Sequence, residues 1–425
     1  MAEATSNGSA RRRAPVAVTG IGILTSLGEG REANWQALSA GRSGIRRIGR
    51  FPLEGMRTTV AGSVEFLPIA ETGTPHVSLA MGTRVAREAL SQAGIGRTGE
   101  FPGGLFVAAP PIDQEIPTRL EIARAAGELR YGPMLRVAAT GSSKPHLEFL
   151  NGFIADRLQA EYGTRGMPVT VSTACASGAS AIQLAVEAIR RGESEAALVV
   201  GTDASVQPEA LIRFTLLSAL STANEVPEQA AKPFSRNRDG FVLAEGAAAL
   251  VLEDVAAARA RGARIIGYVL GCGEAADGFH RTRSSPDGKP IVRCMRNALA
   301  DAGIGPEAID HINAHGTGTP ENDKMETLGI QAVFGARAGS VPVSANKSMI
   351  GHTLTAAGAV EAAFALLTLR DQRLPPTINY REPDPAIPLD VVPNRARSAT
   401  VRRVLSNSFG FGGQNVSLVL GAEPV

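Results

Sequence analysis

Val169-Thr-Val-Ser-Thr-Ala-Cys175-Ala-Ser-Gly-Ala-Ser180 opens as a strand and closes as a helix. The β-branched residues Val169, Thr170, Val171 and Thr173 read as a buried strand. Small residues then mark a tight turn, and Ile182, Leu184, Ala185, Ala188 and Ile189 recur at helical spacing. Cys175 therefore falls where a strand becomes a helix, its sulfur near unpaired amide N–H groups and the positive end of the helix dipole. Both favour thiolate over thiol. Ala174, Ala176, Ser177 and Gly178 are small enough to let a substrate approach the sulfur. Taken alone, the segment also fits a small buried cysteine on a core helix.

Two downstream segments share this design. Asp310-His-Ile-Asn-Ala-His315-Gly-Thr-Gly-Thr-Pro320 is a short apolar strand running into a Gly-broken loop. Val341-Pro-Val-Ser-Ala-Asn-Lys347-Ser-Met-Ile-Gly-His352 is another strand, ending in a loop that opens a helix from about Leu354. Each sets a histidine just past the C-terminal end of a strand, where α/β sheets build their sites.

Working outward, apolar strands and helices alternate along the chain. Helical periodicity at 78–93 precedes a strand at 104–109, and a helix at 147–161 leads to the Cys175 strand. Residues 195–201 and 246–253 are continuous apolar strands, the mark of a sheet covered on both faces. A second series begins at 265–271. It continues through helix 291–302, strand 309–313, helix 323–334, strand 341–345 and helix 354–369, and closes with strands near 403–406 and 415–420. Both series place a strand ending in a reactive residue before a long apolar helix, Cys175 in the first and His352 in the second. The expected division is a polar, disordered tail at 1–14, an N-terminal half at 15–258 and a C-terminal half at 259–425.

Composition narrows the function. The 425 residues carry a net charge of +2, so nothing marks a polyanion-binding protein, and Arg11-Arg-Arg13 reads as part of a solvated tail. Three cysteines without a CxxC pair give no disulfide framework or zinc site. No apolar run reaches a membrane span and the start lacks a signal peptide's apolar core, so a cytoplasmic protein is expected. Val16-Ala-Val-Thr-Gly-Ile-Gly lacks the GxGxxG spacing of a dinucleotide site and reads as a tight strand-to-loop crossing. His76, His146, His280 and His311 fit no motif and are expected to be surface or core residues. Cys272 and Cys294 are expected to be inert.

The segments VSTACASG, NAHGTGTP, NKSMIGHTLTAAG and SNSFGFGGQN together resemble the motifs of β-ketoacyl-acyl carrier protein synthases, the elongating Cys-His-His condensing enzymes of the thiolase superfamily. The resemblance runs from Val16 to about Leu420. It implies an α/β, thiolase-like fold of five layers, α-β-α-β-α, made of two duplicated halves. It also implies decarboxylative Claisen condensation of an acyl group on Cys175 with malonyl-acyl carrier protein, in fatty-acid or polyketide-type elongation. His315 and His352 would donate to the forming enolate, and Lys347 would balance charge with Glu326. The backbone N–H groups of Cys175 and Phe411 would form an oxyanion hole, with Gly410, Gly412 and Gly413 giving φ > 0 or close approach. Thr317 and Thr319 would bond the phosphopantetheine arm, although GTGTP also fits plain turn chemistry. Phe214, Phe409, Phe411 and Ile112 would line or gate the acyl tunnel. The resemblance implies no cofactor and no metal beyond carrier-borne phosphopantetheine, with an acyl carrier protein as partner and a homodimer, or a heterodimer with a related subunit, as the assembly.

The chain also departs from the family. Ala108-Ala-Pro-Pro-Ile-Asp113 replaces a Gly-rich turn, which puts the usual chain-length rule in doubt. Glu71-Thr-Gly-Thr-Pro-His-Val-Ser78 replaces a basic carrier-docking cluster, and Ser218 stands where the family has an Arg, leaving Arg130, Arg136 and Arg213 as docking candidates. A specialised synthase with a dedicated carrier is therefore expected. The alternative is a non-catalytic, chain-length-factor-like partner, which would lack the nucleophile kept here as Cys175. A starter synthase would show Asn at His352, and a CoA-dependent thiolase a second Cys near the C-terminal Gly-rich loop.

Overall fold

Ten main strands form two sets of five with one topology. The first set is β1 (Val16–Thr25), β2 (Gly104–Ala108), β3 (Val169–Val171), β4 (Ala196–Asp203) and β5 (Gly246–Asp254). The second is β6 (Gly267–Ala276), β7 (His311–Asn313), β8 (Pro342–Ser344), β9 (Arg403–Phe409) and β10 (Gln414–Gly421). In space each set runs third, second, fourth, fifth, first. In each, the first two pairings are parallel and the last two antiparallel. The computed structural model describes residues 14–69, 73–96, 99–111, 115–141, 147–148 and 150–425.

The two sets meet where β1 pairs antiparallel with β6, Val16 opposite Val269, making one continuous sheet of 12 strands among the described residues. Every residue of β4, and all of β5 but Asp254, is buried, as continuous apolar strands require of a sheet covered on both faces. The covering helices are α1 (Thr74–Ala93) and α2 (Phe153–Tyr162) outside the first set, and α4 (Lys289–Ala302) and α5 (Pro320–Phe334) outside the second. Between the sets lie α3 (Ser177–Arg190) and α6 (Ala357–Asp371), packed on each other and on strands of both sets. The result is the expected five-layer order, α-β-α-β-α. In α6, every residue from Ala357 to Leu369 is buried, and all of them but Glu361 and Thr368 are apolar or glycine.

The Gly20-Ile-Gly22 turn has a packing explanation. A Cβ on Gly20 would lie 2.1 Å from the Ala89 carbonyl oxygen, and one on Gly22 would lie 2.0 Å from that of Val85. The glycines let α1 lie directly on β1. Periodicity missed the longer helices Arg31–Ser39, Ile116–Ala126, Tyr131–Thr140 and Pro208–Leu216, and the short ones Val255–Ala260 and Lys347–Ile350. The expected helix at 147–161 is broken: Leu147 and Glu148 are helical, and a bend and turn at 150–152 precede the helix Phe153–Tyr162.

Candidate active site

Cys175 sits in a single 3₁₀ turn, Ala174–Ala176, between β3 and α3. Ala174 holds φ at +47°, a strained value for a residue with a Cβ. Leu354 repeats this strain at +42°, opening the 3₁₀ turn Leu354–Ala356 before α6. The two helix starts therefore match, Ala174 with Leu354 and Cys175 with Thr355. His352 does not occupy the counterpart of the Cys175 position, as the sequence reading assumed; it stands three residues earlier. It lies in extra chain between Ser344 and Leu354, a stretch much longer than its counterpart between Val171 and Ala174. That same stretch carries Lys347.

The starts of α3 and α6 touch through glycine. A Cβ on Gly178 would lie 2.4 Å from the Ala359 nitrogen, and one on Gly358 would lie 2.4 Å from the Ala179 nitrogen. This contact aims both helix N-termini at one cleft. The cleft is lined by Cys175, His315 and His352, with Phe409 and Phe411 from the C-terminal loop. One ligand atom from each of Cys175, His315 and His352 lies within 4.8 Å of the other two, and all three residues are buried.

Hydrogen bonds set the tautomer of each histidine. The His352 backbone is fixed by donating to Val242 O (2.7 Å) and accepting from Ala244 N–H (3.0 Å). His352 Nδ1 accepts from the Leu354 N–H at 3.3 Å, so its proton belongs on Nε2, which is buried with no hydrogen-bond partner among the described residues. Lys347 Nζ lies 3.3 Å from His315 Nδ1 and donates to the His315 carbonyl oxygen at 2.6 Å, so His315 also carries its proton on Nε2. Burial and the Lys347 charge hold both imidazoles well below their usual pKa, leaving them neutral N–H donors at pH 7.

Lys347 does not pair with Glu326. Its ammonium contacts the Glu361 carboxylate on α6, and both side chains are buried. Burial raises Glu361 to about 7, with Lys347 pulling it back. Glu326 instead accepts the backbone N–H groups of His315 and Gly316, each at 2.8 Å, and the Asn407 amide at 3.1 Å. Two parallel backbone bonds to one carboxylate make it the anchor of the His315 loop. Sequence reasoning missed Glu361 because it sits in an otherwise apolar helix four residues before Ala365, outside any motif. The signal was there: an isolated carboxylate in an apolar helix requires a buried partner.

The Cys175 sulfur also differs from expectation. Burial raises the thiol to about 11, and the amides of Phe411 and Cys175 and the Lys347 charge only partly offset this. The helix terminus is present, but desolvation outweighs it. Those two amides are directed at the sulfur. In the loop behind, Gly412 and Gly413 have φ of +89° and +87°. Gly410 does not need positive φ; a Cβ there would lie 2.8 Å from the Thr173 carbonyl oxygen.

Phe214 packs edge-on against Phe241, and Phe241 against His352, with ring centroids 5.3 and 5.2 Å apart. Phe409 stands 5.8 Å from the His315 ring. Thr317 and Thr319 line the cleft with hydroxyls 2.9 Å apart, and Thr319 also caps α5 by accepting from Asn322 N–H. Ile112, the remaining tunnel candidate, lies outside the described residues, as do His146 and Glu71-Thr72. His280, expected as a surface or core residue, is half-buried and lines the cleft. His311 is buried beneath the site on β7, bonded to Ser344. Burial raises Cys272 and Cys294 to about 12.

The whole constellation has counterparts. Residues 13–258 match the model "Beta-ketoacyl synthase, N-terminal domain" and residues 266–381 match "Beta-ketoacyl synthase, C-terminal domain". The chain belongs to the β-ketoacyl synthase family. It is 36% identical to 3-oxoacyl-[acyl-carrier-protein] synthase 2 of Coxiella burnetii, covering 95% of this chain and 98% of that one. It is 37% identical to the tetracenomycin polyketide synthase ketoacyl synthase alpha subunit of Streptomyces glaucescens, covering 95% and 96%. Among solved structures it superposes with a TM-score of 0.86 and 31% identity on a chain of a type II polyketide synthase acyl-carrier protein in complex with its ketosynthase bound to the hexaketide, covering 97% and 100%. The synthase is thus an acyltransferase-class condensing enzyme of fatty-acid or polyketide elongation with the thiolase-like fold. Among the described residues, no helix is long and apolar enough to cross a membrane.

Proposed function

We propose that the synthase joins an acyl group held on Cys175 to the α-carbon of a malonyl group carried by an acyl carrier protein, giving a β-ketoacyl thioester. The approach of Cys175, His315 and His352 to within 4.8 Å, with two amides aimed at the sulfur, carries this reading. First, Cys175 Sγ attacks the acyl thioester, the carrier's C–S bond breaks, and the thiol proton leaves on the carrier's sulfur. The amides of Cys175 and Phe411 hold the oxyanion of this step. Malonyl thioester then loses CO2, and the electron pair of its C–C bond becomes an enolate. The Nε2–H groups of His315 and His352 donate to the enolate oxygen, each such donor being worth about 10²–10³ in rate. The α-carbon attacks the acyl carbonyl and the Cys175 C–S bond breaks, regenerating the thiol with one proton from solvent.

Both steps are redox-neutral, the first using the Cys175 sulfur pair and the second the pair released from the malonyl C–C bond, so this sequence calls on no redox cofactor. The Cys-His-His cluster has the size of a metal site, but Lys347 beside His315 opposes a cation there. Thr317 and Thr319 would receive the pantetheine arm, and Phe214, Phe409 and Phe411 would border the acyl chain. A non-catalytic partner role has no need of Cys175. The discriminating experiment separates the half-reactions: His352→Ala is expected to keep transacylation onto Cys175 while condensation falls at least 100-fold. Equal loss of both steps would contradict the assigned role.

The assembly we propose is a dimer. Helix Tyr131–Thr140 buries none of its residues, and Leu129 and Tyr131 are 78% and 81% exposed. Strand β3 forms the free edge of the sheet with Val169 exposed. A second copy of this chain would cover that face.

A further inference from the structure

We propose that Arg281 and Arg283 form an anion-recognition rim for the phosphodiester of the carrier's pantetheine arm. This rests on the synthase reading and adds a recognition site to it. Both arginines line the mouth of the Cys175 cleft and both are exposed. Among the described residues neither lies within ion-pair distance of a carboxylate, whereas Arg50, Arg190, Arg238 and Arg261 are each paired. Two cations left unpaired at the entrance of an otherwise buried site leave their charge available to a ligand.

The loop that carries them is built to hold them in place. Buried Asp277 accepts the Phe279 N–H at 3.0 Å and the Ser285 N–H at 2.7 Å, closing the loop at both ends. His280 Nδ1 accepts the Thr282 N–H at 3.1 Å, fixing the residue between the two arginines. The Arg281 carbonyl accepts the Gly412 N–H at 2.7 Å, and Asp277 N–H donates to the Gly413 carbonyl at 2.8 Å. The loop is therefore bonded directly to the backbone that presents Phe411. Among the described residues the carboxylates lining this cleft are Asp277, which is buried and holds the loop, and Glu321, at the start of α5.

The chemistry chooses the ligand. A thioester at Cys175 is buried, and the arm that delivers it must run outward past Thr317 and Thr319 to the surface. Its one charged group is the phosphodiester at the far end. The malonyl carboxylate is a poor candidate, because it must lie at the reacting centre, and a guanidinium that stabilised it would oppose loss of CO2. A single exposed ion pair gives only a few-fold in affinity, and two guanidinium forks on one phosphate together are expected to give about tenfold.

The test compares acyl-phosphopantetheine with acyl-pantetheine, which lacks the phosphate, as donors to Cys175 in the full chain. The wild-type protein is expected to acylate about tenfold more efficiently from the phosphorylated donor. Arg281→Ala/Arg283→Ala is expected to abolish that preference and leave the rate from acyl-pantetheine unchanged, while Arg281→Lys/Arg283→Lys keeps part of it. No preference in the wild type, or full preference in the alanine variant, overturns the proposal. So does a variant impaired only with the intact acyl carrier protein, since the arginines would then face the carrier's surface. Absence of acylation from either donor in the wild type instead overturns the synthase reading itself.

Discussion

At the scale of single residues, the site depends on one buried charge pair. Glu361 faces Lys347 across the sheet-to-helix boundary, and removing one partner leaves the other charged in an apolar interior. Glu361→Ala is expected to lower stability by about 3–5 kcal/mol in chemical denaturation. Glu326→Gln keeps one acceptor oxygen for the backbone of the His315 loop and should cost less stability than Glu361→Ala; the reverse order would restore Glu326 as the lysine's counterion. His311 gives a pH signature. Burial lowers it to about 3, so the folded protein keeps it neutral while the unfolded chain protonates it below about 6.5. Its contribution is complete above pH 6.5 and is lost as pH falls toward 3. The stability difference between wild type and His311→Gln should therefore shift against the wild type by about 1.4 kcal/mol per pH unit below 6.5. A difference independent of pH in urea titrations at pH 5 to 8 would contradict it.

At the scale of elements, the glycine contact between α3 and α6 positions the nucleophile. Gly178→Ala or Gly358→Ala places a methyl group against backbone that cannot retreat, because each helix is held between two layers. Either substitution is expected to lower the melting temperature by several degrees and to slow acylation of Cys175, measured by thermal unfolding and by iodoacetamide trapping. Much of this architecture was legible in the sequence. The strand-turn-helix at Cys175, both histidine loops and the repeated order of elements follow from β-branched runs, small-residue turns and helical spacing. The helices at 116–126 and 131–140 were not legible: both are short, the first buries Ala123 and the second buries none of its residues, so neither shows the long core-facing stripe that marks the other helices. Nor was the partner of Lys347, because charge pairing across 14 residues and two elements leaves no local pattern. The thiol's raised pKa was missed for the same kind of reason: a helix terminus is local, but desolvation comes from the whole fold.

At the scale of the whole molecule, the duplicated halves leave α3 and α6 between them with both N-termini at one cleft, and the second half adds the chain that carries Lys347 and His352. Leu129 and Tyr131 are exposed, and β3 lies at the end of the sheet among the described residues. Sedimentation is expected to report a dimer, and Leu129→Glu/Tyr131→Glu is expected to shift it toward monomer; a wild-type monomer across micromolar concentrations would contradict a dimer through this face. The central claim is that Cys175 carries the acyl chain. Intact-protein mass spectrometry after mixing with acyl carriers loaded with a series of chain lengths tests it most directly. The account predicts one thioester-sized mass increment per chain, largest for the preferred acyl group and absent in Cys175→Ala. No increment with any chain, or an increment that survives Cys175→Ala, would contradict it.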